Sequence, residues 1–267
     1  MKISTLISCL KLRKLSNYLS HVRNMDCEKV LGNEPLIISD KQSDGKELKK
    51  ARLSDVVSQA DIHRQLFEKY SLGEVAGDGT DFEKTVAILK WLTENTRYSG
   101  VSMKYRPDNG LGILDSSFRK PFKYSINCRD KAIAFADCLI AIGIKAYPVC
   151  MLGSKFVNCH FNCHVYLREL DKWCNFDPSF GCWFTDENGD LLDAFEIRRL
   201  FTENSEPVIH GYDFNGTTES IGVYKICFLK SCMSNLSTWE NNFIETRQKR
   251  KTNSGRNFKV FDCELPR

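Results

Sequence analysis

No run of apolar residues in this chain approaches the length of about 18 that crosses a bilayer, so no transmembrane segment is expected. No secretory leader is expected either. Met1–Leu10 is briefly apolar, but its basic residues (Lys11, Arg13, Lys14) follow the patch instead of preceding it, and no small-residue cleavage site comes after. Cysteine is plentiful, 12 in 267 residues, yet the short regular spacings of a disulfide scaffold are absent and several cysteines fall inside helix- or strand-like runs. That pattern reads as reduced thiols in a cytoplasmic protein. Phosphate-binding glycine loops, dinucleotide fingerprints and lysozyme-like carboxylate pairs are all lacking, which removes support for those enzyme classes. The acidic turn Thr185–Asp190 carries Asp186, Glu187 and Asp190, but position 197 is Ile where a calcium loop needs its closing glutamate.

What is present is a chain with 42% apolar content, enough for a real core, and a net charge of +4. The basic surplus lies in the two ends, residues 1–55 and 241–267, and the middle is net acidic. The run Arg247-Gln-Lys-Arg-Lys251 has no interleaved aromatics, so it reads as a solvated terminal face with no specific nucleic-acid partner. Three regions follow: a helical and polar N-terminal extension over 1–55, one domain over 56–240, and a basic C-terminal segment over 241–267.

Along the chain, 1–25 reads as a short amphipathic helix and 32–50 as a polar linker. Helical character resumes around 58–71. Asp81 is expected to cap a helix whose Phe82, Val86, Leu89 and Leu92 recur at helical spacing. Residues 101–126 read as a long loop. Glu196–Glu203 reads as a helix end, and Ile221–Leu229 and Asn257–Glu264 alternate as strands.

The chemistry concentrates between Cys128 and Gly181. Residues 128–142 space Ala132, Ile133, Phe135, Ala136, Leu139, Ile140 and Ile142 as a helix buried on more than one side, ending at Gly143. Cys128, preceded by Asn127 and followed by Arg129 and Asp130, then falls in the first turn. There, free backbone N–H groups favour an anion and could also stabilise an oxyanion on an attacked carbonyl. Cys138, mid-helix, reads as a small core residue. The run 160–167 reads as a strand with His160 and His164 on one face. After the turn Arg168–Asp171, residues 173–177 read as its partner strand, ending in Asp177-Pro178. Asp before Pro is also ordinary turn chemistry. Cys, His and Asp in this arrangement are what a thiol nucleophile, its base and the group orienting that base require.

The segment resembles the transglutaminase-like superfamily, whose core follows the same order: Cys opening a helix, His on one strand, Asp on the next. Family members carry the His six residues before a Val-Tyr tyrosine, then Trp, three residues and Asp-Pro. Here Tyr166 minus six is His160, and Trp173-x-x-x-Asp177-Pro178 matches the second half. The resemblance therefore implies Cys128 as nucleophile, His160 as base and Asp177 as its orienting carboxylate, with His164 outside the triad. It covers 128–200 closely and 80–127, including Tyr98, more loosely.

The expected fold is α+β with a papain-like, transglutaminase-like core: the helix bearing Cys128 packed on an antiparallel β-sheet bearing His160 and Asp177. The expected function is cysteine-dependent acyl transfer or amide hydrolysis on a protein or peptide substrate, through a thioester and without a cofactor. Two alternatives stand beside it. One is a non-catalytic binding domain on the same fold. The other is a zinc module using Cys159, His160, Cys163 and His164, against which adjacent Cys and His on a strand point to opposite faces.

Overall fold

The computed structural model describes residues 49–50, 61–98, 107, 109–119, 126–153, 159–211, 221–238 and 263–264. A two-residue strand β1 (Lys49–Lys50) comes first, then helices α1 (Asp61–Lys69), α2 (Leu72–Ala76), α3 (Asp81–Asn95), α4 (Gly110–Arg119) and α5 (Cys128–Ala141). Strands β2 (Ala146–Leu152), β3 (Cys159–Leu167), β4 (Lys172–Asp177) and β5 (Cys182–Thr185) follow. Helix α6 (Ala194–Thr202), β6 (Val208–His210), α7 (Ile221–Val223), β7 (Asn235–Ser237) and β8 (Cys263–Glu264) complete the order. Strands β2 to β7 form one antiparallel sheet in the order β6-β5-β4-β3-β2-β7, while β1 and β8 pair with each other in parallel.

Helix α5 is the centre of the packing, as its all-round apolar spacing requires. Every residue from Asp130 to Ile140 is buried, and α1, α3 and α4 pack round it while it lies on β2 and β3. Alternation along the strands divides the core in two. Phe161, Cys163, Val165 and Leu167 of β3 join Ala146, Cys150 and Leu152 of β2 and Cys174 and Phe176 of β4 in the cluster that holds Ala132, Phe135 and Leu139. Tyr147, Val149, Met151 and Trp173 face the other way, against Phe180, Ile197, Phe201, Tyr224 and Leu229. The α+β arrangement of a helix on an antiparallel sheet is therefore the observed fold.

Local structure follows the expected reading at most elements and departs from it at three. The cap of α3 is Thr80, one residue before the expected Asp81: its hydroxyl accepts from the Glu83 N–H at 3.2 Å while Glu83 Oε2 accepts from the Thr80 N–H at 2.9 Å. Asp81 is free for a different task. It is buried and takes Arg168 Nε at 2.7 Å and the Arg168 backbone N–H at 3.2 Å, which ties the start of α3 to the β3–β4 turn.

The expected loop over 101–126 contains helix α4 at Gly110–Arg119. Two glycines and two serines hide it from propensity, but Ile113 and Leu114 are wholly buried and packing supplies what propensity withholds. Gly110 allows the approach: its N–H donates to Asp137 Oδ2 at 2.7 Å, and a Cβ there would lie 2.8 Å from the Asp137 Cβ.

The third departure is Ile221–Leu229, expected as a strand. It is α7 continuing into a π-helical turn, Tyr224–Leu229, and a 3-10 turn, Lys230–Cys232. A short run of β-branched and aromatic residues does not fix its own period. Here Tyr224, Leu229 and Cys232 bury together in the second cluster, and β7 occupies the sheet edge beside β2. The expected linker at 32–50 ends in strand β1 at Lys49–Lys50, which pairs with Cys263–Glu264. The rest of it, the expected helix at 1–25, the basic run 247–251 and most of the strand at 257–264 lie outside the described residues. No helix among the described residues is long and apolar enough to cross a membrane. Nine cysteines among the described residues, Cys128 to Cys232, are free thiols.

Candidate active site

Cys128 is the first residue of α5 and is half-buried. Asn127 starts the helix: its side-chain Oδ1 accepts from the Asp130 N–H at 2.9 Å. That takes up one of the donors that the first turn of a helix leaves without an intrahelical partner. His160 is the second residue of β3 and Asp177 the last of β4, so both stand at the end of the sheet where β3 begins and β4 finishes. His160 is 1% exposed and Asp177 fully buried.

The two side chains are bonded. His160 Nε2 donates to Asp177 Oδ2 at 2.7 Å. The other ring nitrogen, Nδ1, is buried without a well-formed hydrogen bond, and the Cys128 sulfur is the ring's further hydrogen-bonding and electrostatic neighbour. Burial opposes the charged ring, but the Asp177 carboxylate, with the sulfur adding to it, outweighs burial and pushes His160 up to about 10. The geometry thus favours an imidazolium between a carboxylate and a sulfur.

Asp177 serves two structures with its two oxygens. Oδ1 accepts from the backbone N–H groups of Ser179 at 2.8 Å and Phe180 at 3.4 Å, closing the Asp-Pro-Ser turn. Oδ2 takes His160 and also the Tyr224 hydroxyl at 2.8 Å. Asn162, with its amide turned to satisfy both neighbours, adds a donor to Oδ2 at 3.2 Å and accepts from Asn175 Nδ2 at 2.8 Å. Turn chemistry and the His160 contact, alternatives at the level of sequence, are both present.

His164 has a different environment on the same face. Its Nε2 accepts from the Ala194 N–H at 3.0 Å, at the first turn of α6, which leaves Nδ1–H to donate to the Tyr147 hydroxyl at 2.9 Å. Burial without an acidic partner pushes it down to about 3, so this ring is neutral. It links the sheet to α6.

Four further neighbours surround the pair with no role assigned to them from the sequence. Lys131, one turn after Cys128, is wholly buried and donates to the Thr96 carbonyl at 3.1 Å. Burial pushes it down to about 7 against the opposing pull of Asp177. Tyr98 packs its ring on Phe180 at 5.4 Å, and burial, then the charges of Cys128 and Asp177, raise its phenol. Phe180 and Phe228 wall the His160 ring at 5.8 and 5.5 Å between centroids. A sequence signal existed only for Asn162, two residues along the His160 face, and for Tyr98, which falls in the looser part of the resemblance. Lys131 looks like any helical lysine, and the segment of Tyr224 and Phe228 has the wrong apparent period.

The suggested zinc set is split by the pleat. Cys163 belongs to the core cluster against α5, while His160 and His164 face the other side. Among the described residues no group of three or more His, Cys, Asp or Glu side chains is placed to hold a metal ion.

Comparison with known proteins agrees with the resemblance in the sequence. Residues 69–178 match the family model of the transglutaminase-like superfamily. No curated protein matches the chain. Among solved structures, a protein from Cytophaga hutchinsonii provisionally named a cysteine protease is similar at 18% identity and a TM-score of 0.36, over 59% of this chain and 49% of its own. A structure described as a TGase is similar at 18% identity and a TM-score of 0.27, over 45% of this chain and 31% of its own. The chain thus spans about half the length of the first and under a third of the second. Residues 69–178, which hold Cys128, His160 and Asp177, are thus the part of the chain, under half of its length, that is similar to the transglutaminase-like superfamily.

Proposed function

We propose that the protein is a cysteine-dependent acyltransferase or amide hydrolase acting on a protein or peptide substrate, with Cys128, His160 and Asp177 as its catalytic triad. The observation that carries this reading is the His160 ring, bonded at 2.7 Å to Asp177 through one nitrogen and neighboured by the Cys128 sulfur. Asp177 fixes the tautomer and orientation of the ring and favours its charged form. The imidazolium supplies the proton that a departing amine needs.

In the reaction, Cys128 Sγ bonds to the carbonyl carbon of a substrate amide. The oxyanion forms at the N-terminus of α5, where the positive end of the helix dipole favours an anion. The C–N bond then breaks, the His160 proton passes to the departing nitrogen, and a thioester remains. Next, His160 takes a proton from an incoming water or primary amine, whose oxygen or nitrogen bonds to the carbonyl carbon as the Cys128 thiolate leaves. Water gives hydrolysis or deamidation, and an amine gives transamidation.

Incubation with a library of glutamine-containing and other peptides, in the presence of a tagged primary amine, tests this reading. Tagged or hydrolysed product with wild type, and none with Cys128→Ala, is the expected result. A thioester on the Cys128 peptide, detected by mass spectrometry after acid quench, identifies the intermediate. Equal product from Cys128→Ala would overturn the assignment.

A further inference from the structure

The carboxylate that holds His160 is itself held by a residue 47 positions further along the chain. Tyr224 opens the π-helical turn Tyr224–Leu229, beyond the segment that matches the superfamily. It is fully buried, and its hydroxyl donates to Asp177 Oδ2 at 2.8 Å, the same oxygen that receives His160 Nε2. The phenol has one proton, and its oxygen accepts from Cys182 Sγ at 3.4 Å, so that proton is committed to Asp177.

The wide turn brings a second ring to the pair. Phe228 lies nearly parallel to Tyr224, at 6.4 Å and 16°, and meets the His160 ring edge-on at 5.5 Å. Phe180 fills the space between them, 4.7 Å from Tyr224 and 4.9 Å from Phe228. One π turn thus touches the carboxylate with one residue and the imidazole with another, a placement common for π turns at functional sites.

We propose that Tyr224 is a positioning residue of this site, one that fixes Asp177 Oδ2 and draws charge from it so that His160 can release its proton to a leaving amine. The proposal rests on the triad reading above. A carboxylate already satisfied by a phenol is a weaker base, and it holds the imidazolium proton less tightly than an unshared one. Without the phenol, Oδ2 would still receive His160, its partner Oδ1 would stay anchored by the Ser179 and Phe180 N–H groups, and the imidazolium would be over-stabilised.

The titratable groups around the pair are Cys128 and Lys131 of α5, Tyr98 after α3, Cys159 of β3, Cys182 of β5, and Tyr224 and Cys232 of the C-terminal turns. The experiment therefore reads His160 by a signal specific to its charge. Cys128 is alkylated across pH with anionic iodoacetate and with neutral iodoacetamide, and its modification is followed by mass spectrometry. An imidazolium beside the thiolate favours the anion, and the preference vanishes as His160 loses its proton. His160→Ala identifies that alkaline transition by removing it.

In Tyr224→Phe, with folding checked by thermal melting, the transition should move up by about one pH unit. Trifluorotyrosine placed at position 224, a stronger donor, should move it down. A Tyr224→Phe profile that overlays the wild type, or moves down, overturns the proposal and leaves the triad intact. A wild type with no iodoacetate preference and no His160-dependent transition overturns both.

Discussion

His160 and Asp177 do not sit directly across from each other: they meet along a diagonal of the β3–β4 ladder. The register pairs Cys163 with Phe176, and one step further sets Asn162 opposite Asp177, with His160 two residues beyond. The imidazole covers that offset and bonds at 2.7 Å, and Asn162 fills the direct position with a donor of its own. Asp177 is therefore aimed by its neighbours before His160 reaches it.

A rank order follows for this end of the sheet. Asp177→Asn removes the charge that sustains the imidazolium and presents an amide in place of an acceptor. Labelling of Cys128 by a thiol-reactive probe at pH 6 should fall on the order of 100-fold. Asn162→Ala removes one neutral donor and should cost much less. The reverse order would contradict the geometry.

The two histidines of β3 should contribute to stability with opposite pH dependence. The folded-state pKa of His160 is raised to about 10. Its contribution is complete below the unfolded value of about 6.5 and is lost as pH rises from there through 10. His164 is depressed to about 3, so its contribution is present above about 6.5 and is lost as pH falls toward 3. Urea unfolding at pH 4.5, 6.5 and 9.5 checks this. His164→Gln, which keeps an acceptor for the Ala194 N–H, should flatten the acid loss, and His160→Gln should flatten the alkaline one.

Lys131 titrates in the alkaline window with the other sign. Its folded-state pKa is lowered to about 7, so folding is penalised increasingly as pH falls from about 10 to 7. Lys131→Met keeps the length of the side chain without the amine. It should stabilise the protein at pH 7 by on the order of 2 kcal/mol and by less at pH 10. Equal stability of the two proteins at pH 7 would show that Lys131 is solvated or paired in a way this geometry does not contain.

Helix α4 depends on the absence of a side chain at position 110. Gly110→Ala places a methyl 2.8 Å from the Asp137 Cβ and 3.3 Å from the Ala134 Cα, so α4 must move off α5. A loss of about 1–3 kcal/mol in chemical denaturation is expected, despite the better helix propensity of alanine.

The parts of the fold legible in the sequence were those where pattern and chemistry agree over a long enough run. The 128–142 spacing has too many apolar positions for one face, and α5 is buried from Asp130 to Ile140. The strands of His160 and Asp177 alternate cleanly, and the Trp173-to-Asp177 interval fixes their partnership. Elements that owe their form to distant partners were not legible. Gly110–Arg119 is helical because Ile113 and Leu114 have a core to enter. Tyr224–Leu229 winds instead of extending because Tyr224 and Leu229 bury in the second cluster. Asp81 gave the correct helix and the wrong cap, since only the structure shows Arg168 claiming its carboxylate.

The proposed triad is readable as residue types in order, and the resemblance chose His160 over His164. The hydrogen bonds give an independent reason for the same choice: His164 spends Nε2 on the Ala194 N–H and Nδ1–H on Tyr147, leaving neither nitrogen for a thiol.

The most direct test of the triad is the rate of Cys128 alkylation by iodoacetamide from pH 4 to 10, in wild type, His160→Ala and His164→Gln. The account predicts that wild type and His164→Gln react well below pH 7 and that His160→Ala loses this reactivity. A Cys128 that reacts only as an ordinary thiol, rising through about pH 8.5 in all three proteins, would contradict it.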